Sequence, residues 1–351
     1  MSKPLRVAVV GVGRMGRHHA RIYSELPDVE LVAVIDADPQ RADEVASAHG
    51  CQALHDVSEL PAPLDAVSVA VPTVHHRPVA EALLRAGTAV LLEKPLADTV
   101  ANGRVLVEAV RACDGLLQVG HTERFNPVVT AVDRMQVQPK FIETHRISPF
   151  TFRSADIGVV LDMMIHDIDI VLHLVRDRPV RVDSVGVSVL SPHEDIANAR
   201  VGFAGGCVAN LTASRLALKT ERKIRVFANE AYLSLDYQRK SGIAIKKDAN
   251  LDVLKLARQH DLEDLSQLQA LDFAKLVHVE PLQVGDTEPL RAEIEAFLRS
   301  VRTHQPPPVT AEDGLAAMEL ADQIVAAMKQ HRFDGAAVDS TASGPARIGL
   351  D

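Results

Sequence analysis

The chain has 351 residues, 47% of them hydrophobic and 24% charged, with a formal net charge of −9; this is the composition of a globular protein with room for two domains. The acidic balance disfavours nucleic acid or an anionic membrane as a partner. Cys51, Cys113 and Cys207 are widely spaced and lack a C-x-x-C pair, so neither a disulfide framework nor a metal site is expected. The first strand begins without a preceding apolar leader and no run approaches membrane-spanning length, which predicts a cytoplasmic protein.

Arg6 to Val10 reads as a buried strand, and Gly11, Gly13 and Gly16 then space a G-x-G-x-x-G turn, with Arg14 and Met15 inside it, into a helix over 14–26. The first glycine permits the tight turn, the second lets backbone approach a pyrophosphate, and the third allows close helix packing. The phosphates then meet a helix N-terminus. A second strand, Glu30 to Ile35, ends at Asp36, whose carboxylate can accept from the ribose hydroxyls and repel a 2'-phosphate. NAD is therefore preferred over NADP. A helix over Pro39 to His49, a strand over Asp65 to Val71 ended by Pro72, a helix from His76 to Ala86 stopped by Gly87, and a strand over Ala89 to Leu92 follow. Helix 99–112 and strand Leu116 to Val119 complete a doubly wound parallel sheet, with a domain spanning residues 1–122.

The second half changes period. Runs at about 140–147, 182–190, 197–204, 207–214, 222–228, 231–237 and 242–247 are rich in β-branched residues, and Gly205-Gly206 predicts a two-residue hairpin. They form a large, open, mostly antiparallel sheet in an α+β domain over 123–333, preceded by a helix from Leu161 to Val175. Residues 248–285 are less regular. Pro289 and the pair Thr310 and Asp313 mark two late helices, and 334–351, rich in Gly, Ala and Ser, reads as a flexible tail.

Three segments carry chemistry. Glu93-Lys94-Pro95 lies beyond a strand's carboxyl end, where a doubly wound sheet presents its ligand crevice, and Lys94 there can stabilise charge on a substrate oxygen. Pro95 predicts a cis bond after Lys94. In the helix, Asp162, His166, Asp169 and His173 fall at i, i+4, i+7 and i+11, one polar stripe on an apolar element. One reading makes His166 a general base oriented by Asp162; a metal site and a stripe satisfied by its neighbours are the alternatives, the last suiting Asp169 and His173 better. Gly120 to Pro127 joins the domains, so Arg124 and Asn126 are candidate substrate ligands. Arg146, Arg153, Arg215 and Arg222 lie on or beside the second sheet and, if they converge, suit a diphosphate.

Together, the Gly11 to Gly16 turn, Asp36, Pro72-Thr-x-x-His76, Glu93-Lys94-Pro95, Arg124-Phe-Asn-Pro127 and Asp162-x3-His166-Asp-x-Asp169 resemble the glucose-fructose oxidoreductase, inositol dehydrogenase and MocA family from residue 5 to about 330. The resemblance implies a Rossmann domain, bound nicotinamide cofactor and oxidation of a sugar or cyclitol hydroxyl. It makes Lys94, Asp162 and His166 catalytic and puts Pro72, Thr73, His76 and Glu93 at the cofactor. The family's glycine cluster before the aspartate is reduced here to Asp156-Ile-Gly158-Val. Within the family, the runs His145 to Arg153 and Asp156 to His166 are most similar to bacterial UDP-N-acetylglucosamine 3-dehydrogenases of lipid A biosynthesis. That subgroup implies a UDP-sugar substrate, bound in part by Arg146, Arg153 and Arg215, and a homodimer or homotetramer built through the C-terminal sheet. The competing expectations are a dehydrogenase of inositol or a free sugar, and an NAD-dependent sensor or scaffold without turnover.

Overall fold

The computed structural model describes residues 3–151, 157–247 and 277–331. Strands β1 (Leu5–Val10), β2 (Val29–Ile35), β3 (Gln52–Leu54), β4 (Ala66–Val69), β5 (Ala89–Glu93) and β6 (Leu117–Gly120) form an all-parallel sheet in the order β3-β2-β1-β4-β5-β6. β4 and β5 are buried at every residue, which is why they read as unbroken apolar runs rather than alternating ones. Helices α1 (Gly16–Glu25), α2 (Pro39–His49), α3 (His76–Arg85) and α4 (Val100–Ala112) cover the faces. Strand order reverses between β1 and β4, and the crevice outside their carboxyl ends is where such sheets hold ligands.

After α5 (Pro127–Met135), strands β7 (Phe141–Ile147), β8 (Pro179–Val187), β9 (Ile196–Phe203), β10 (Val208–Ser214), β11 (Glu221–Phe227), β12 (Ala231–Asp236), β13 (Ser241–Lys247) and β14 (Val277–Pro281) build a second sheet in the order β14-β13-β12-β11-β7-β10-β9-β8. All its pairings are antiparallel except β7 with β10. One face alternates into the core through Ala197, Ala199, Val201 and Phe203 on β9 and Ala209, Leu211 and Ala213 on β10. Across it lie α6 (Ile165–Val175) and α8 (Ala311–Gln330).

The chain's late helices return to the first sheet. α7 (Pro289–Thr303) buries Leu290, Ile294, Phe297 and Leu298 in the same cluster as Val7, Val9 and Tyr23. α8 opens with a complete capping box between Thr310 and Asp313 and wedges Gly314 against Val119 and Leu96. A continuous apolar core, with Val67 and Leu92 from one sheet, Ala199 from the other and Ile168 from α6, fixes the two sheets relative to each other.

Four local expectations change. Phe203 pairs with Cys207, so the β9–β10 loop has three residues rather than two, with Gly206 at φ +88°; a three-residue loop closes with its last residue left-handed, as glycine permits. The helix expected from Leu161 starts as a π-helical turn, Val160–Met164, before α6. α5 and β14 were not foreseen from the sequence. The irregular stretch at 248–276, Arg153 and the tail from 334 lie outside the described residues.

Candidate active site

The glycine turn shapes a cradle that fits a dinucleotide. Gly11 has φ +83°, and a Cβ there would sit 2.7 Å from the Ala70 carbonyl oxygen; one on Gly16 would lie 1.8 Å from the oxygen of Gly11, while Gly13 faces open space. No side chain caps α1 and no acid lies in its first turn, so its N-terminal N–H groups and dipole remain available to phosphate. The Asp36 carboxylate closes the far side. Its Oδ2 accepts from Val12 N at 2.9 Å, and its Oδ1 from Asp38 N at 3.0 Å and Arg41 Nη1 at 3.1 Å. Three donors leave one lone pair, on Oδ2, free for a ribose hydroxyl, and Arg41 at this site went unread in the sequence.

Beyond the strand ends opens a cleft of about 850 Å³ lined by Arg14, Met15, Glu93, Lys94, Thr122, Asn126, Arg146, Asp162, His166, Arg222, Tyr237 and Lys240 among others, a size that holds the end of a cofactor and a sugar together. The Lys94–Pro95 bond is cis. Lys94 Nζ donates to the Asp162 carbonyl at 2.9 Å and stands 4.0 Å from its Oδ1, so the π-turn that displaces Asp162 brings the second domain onto the first domain's lysine. Burial pushes the Lys94 ammonium pKa down, against the pull of Asp162 and Glu93. His166 lines the cleft with its Nδ1 buried and without a partner. Burial holds its pKa well below the ordinary imidazole value, reinforced by Lys94, Arg146, His121 and Arg222. No side-chain hydrogen bond joins Asp162 to His166 among the described residues; the closer tie of the Asp162 side chain is to Lys94.

Behind Lys94, Glu93 Oε1 meets His19 Nε2 at 3.1 Å, and His19 Nδ1 meets Ser68 Oγ at 3.0 Å, which meets the Tyr23 hydroxyl at 2.8 Å. Burial raises the Glu93 pKa, but the His19 hydrogen bond and the charges of His19 and Lys94 outweigh it and leave the carboxyl below its usual range. Pro72 caps the 3-10 turn Thr73–His75 at the end of β4. His76 points its two ring nitrogens at the carbonyls of Pro95, 2.8 Å, and Val71, 3.0 Å; it ties the Lys94 loop to the β4 end rather than facing the cleft, and burial lowers its pKa.

The arginines divide. Arg124 forms a two-pronged pair with Asp169, 2.7 and 2.8 Å, and reaches His173 Nδ1 at 3.0 Å, while His173 Nε2 meets Asp133 at 2.9 Å. That network ties the segment after β6 and α5 to α6 away from the cleft, and it satisfies the lower half of the α6 stripe. Arg215 is likewise turned inward, onto Asp195 at 2.8 Å, Ser191 Oγ and the Ile157 carbonyl. Arg146 touches the cleft but forks onto Asp167, 3.0 and 2.8 Å, and reaches Glu123 at 3.1 Å, with its guanidinium 5.7 Å from the Tyr237 ring centroid. Asn126 lines the cleft and caps α5 through Val128 N. Besides Lys94 and Arg146, the cations lining the cleft are Arg14, Arg222 and Lys240. Of the four arginines whose convergence would suit a diphosphate, Arg146 and Arg222 both line the cleft, Arg215 faces away from it, and Arg153 lies outside the described residues; buried arginines need carboxylate partners, and Arg124, Arg146 and Arg215 have them. Lys240 and the buried Tyr237 hydroxyl, which has no partner, were missed: each lies just after a strand that sequence reading treated as framework. Gly158 has a purpose here too, since a Cβ on it would meet the Glu194 carboxylate at 2.0 Å, and that carboxylate accepts from Val160 N at the head of the π-turn. Among the described residues no cluster of His, Cys, Asp or Glu could hold a metal ion, and no helix is long and apolar enough to cross a membrane.

Two family models match the chain, one described as the oxidoreductase family with an NAD-binding Rossmann fold over residues 5–121 and one as the GFO/IDH/MocA C-terminal domain over residues 133–234. UDP-N-acetylglucosamine 3-dehydrogenase from Acidithiobacillus ferrooxidans is 34% identical over 303 residues, 86% of this chain and 90% of that protein. A solved structure of that enzyme superposes with a TM-score of 0.84 over 94% of this chain and 99% of the other. Inositol 2-dehydrogenase from Rhizobium meliloti is 27% identical over 93% of this chain and 98% of its own length.

Proposed function

The chain belongs to the GFO/IDH/MocA oxidoreductase family and is an NAD-dependent dehydrogenase, and from that premise we propose that it oxidises the 3-hydroxyl of a UDP-N-acetylhexosamine to a ketone. The observation that carries the chemistry is the meeting of Lys94, from the nucleotide domain, with Asp162 and His166, from the other, in one cleft beside Met15 of the glycine turn. The Gly11 to Gly16 turn and Asp36 would hold NAD, which would supply the acceptor for the hydride leaving the carbinol carbon. His166, kept neutral by burial and by its cationic neighbours, takes the hydroxyl proton, and Lys94 hydrogen-bonds the same oxygen as it becomes a carbonyl. Asp162 holds Lys94 in place by its carbonyl and favours its charged form.

Substrate choice follows from the rim. Arg222 and Lys240 are the partly exposed cations at the substrate end of the cleft, and a diphosphate pairs with them while the sugar reaches Lys94; the remote contacts position the reacting carbon rather than activate it. A free sugar or inositol would make no use of these cations. The similarity to the Acidithiobacillus enzyme supports the same reading, which carries with it a place in lipid A biosynthesis in the cytoplasm. We assign the assembly to a homodimer or homotetramer through the outer face of the second sheet, where Phe141, Phe227, Tyr232 and Ile245 stand in register across four strands, the aromatic rings 5.6 and 4.8 Å apart. The test is NADH appearance in single turnover with UDP-N-acetylglucosamine, its uronic acid, free N-acetylglucosamine and myo-inositol. NADH from a nucleotide sugar alone is expected; NADH from inositol or the free sugar alone would overturn the substrate assignment, and NADH from none would favour a sensor.

A further inference from the structure

Glu293 on α7 is fully buried and plays no part in the chemistry above. Its Oε2 accepts from Thr122 Oγ1 at 2.9 Å, and its backbone oxygen accepts from Gln118 Nε2 at 3.2 Å. Two oxygens then remain without a donor, Glu293 Oε1 and Gln118 Oε1, both buried and on residues already in contact. Two acceptors cannot satisfy each other, and each buried orphan is costly. A single proton on Glu293 supplies the missing donor. The groups facing it are Glu93 from β5 and Asp169 from α6, with Thr122 beyond β6 and the Tyr23 phenol from α1; no cation is among them. The nearby His19 ring and the Lys94 ammonium are directed at Glu93.

We propose that Glu293 is carried as a neutral carboxylic acid whose O–H donates to Gln118 Oε1, and that it is the positioning residue docking α7 onto the strand ends that hold Glu93 and Thr122 at the cofactor pocket. Burial and the charge of Glu93 act in the same direction, raising the Glu293 pKa well above the usual carboxylate value. Ionising it sets two carboxylates against one another beneath the pocket and leaves both orphans unpaired. Cofactor affinity therefore falls as pH rises through the pKa of Glu293. The residue touches neither substrate nor cofactor, and the inference stands whichever sugar is oxidised.

The experiment compares full-length wild type, Glu293→Gln and Glu293→Ala by NADH fluorescence titration across pH, with an infrared spectrum of the carboxyl region. A glutamine amide reproduces the neutral acid, its N–H reaching Gln118 and its carbonyl accepting from Thr122. Glu293→Gln is expected to keep the NADH Kd at neutral pH within about twofold and to flatten its alkaline rise, whereas Glu293→Ala weakens binding by about tenfold. The wild type is expected to show a protonated-carboxyl band that Glu293→Gln removes. A glutamine variant as damaged as the alanine one, or no such band in the wild type at neutral pH, would overturn the proposal. The band is read on the wild type, so the test holds even where the alanine variant fails to fold.

Discussion

The Asp36 carboxylate, which we propose selects NAD, already pairs with Arg41, a guanidinium of the kind that suits a 2'-phosphate. Asp36→Ser alone should therefore release Arg41 and raise NADPH affinity by about tenfold, or about 1.4 kcal/mol; an unchanged NADPH titration would show that Asp36 does not set the preference. The two residues proposed for proton and charge handling shift in ways that fix a pH profile. A lowered His166 pKa keeps the ring neutral, and able to accept a proton, down to pH values below the ordinary imidazole value of about 6.5, while a lowered Lys94 pKa brings its loss of charge below about 10.5. Single-turnover hydride transfer should thus be flat through neutrality, falling in acid as His166 protonates and in alkali as Lys94 loses its charge. Lys94→Ala and His166→Ala should each lose roughly 100-fold or more in that rate while NADH titration stays near normal. The glycines, Asp36, Lys94 and His166 were legible because each is defined by its neighbours in sequence. Glu293 was not: it stands 200 residues after Glu93 on the apolar face of an ordinary amphipathic helix, and only the fold brings them together.

Among the elements, the strands were readable because burial sets their period, and the misreadings lie where backbone departs from a regular repeat. The π-turn at Val160–Met164 leaves no mark in apolar spacing, yet such turns favour functional sites, and this one delivers Asp162 to Lys94. The arginines divided, Arg146 and Arg222 at the cleft and Arg124 and Arg215 away from it, for a related reason. Sequence shows that they lie on or near β7, β10 and β11, while partners such as Asp167 and Asp195 decide whether each head faces the cleft. Two consequences separate the classes. Arg222→Ala and Lys240→Ala should raise KM for a nucleotide sugar by about tenfold, or roughly 1.4 kcal/mol each, with NAD binding intact, and equal KM changes for a free sugar would contradict the rim assignment. Arg215→Ala should instead lower stability by about 3 kcal/mol in urea unfolding, since it strands the buried Asp195; the backbone N–H groups of Val189, Leu190 and Ser191 keep the loss at the low end of that class. Burial raises the Asp195 pKa, but those N–H groups, Arg215 and Ser191 outweigh it and depress it below the ordinary carboxylate value of about 3.9. The stability Asp195 contributes is present above that value and is lost as pH falls through its lowered one.

On the scale of the molecule, the cleft exists because the chain crosses between its sheets more than once. α7 is seated in the first sheet's core and α8 lies between α4 and α6, so the lysine of one domain and the histidine of the other are held by packing rather than by a single linker. The two-sheet plan was readable from the change of period in the second half; the return of α7 was not, because amphipathic spacing says that a helix has a buried face and not which core receives it. The claim that joins these parts is removal of hydride from C3 of a nucleotide sugar. It is tested most directly with UDP-N-acetylglucosamine carrying deuterium at C3, followed by mass analysis of the reduced cofactor after one turnover. One deuterium in the NADH is the predicted result, and unlabelled NADH, or none formed, would contradict it.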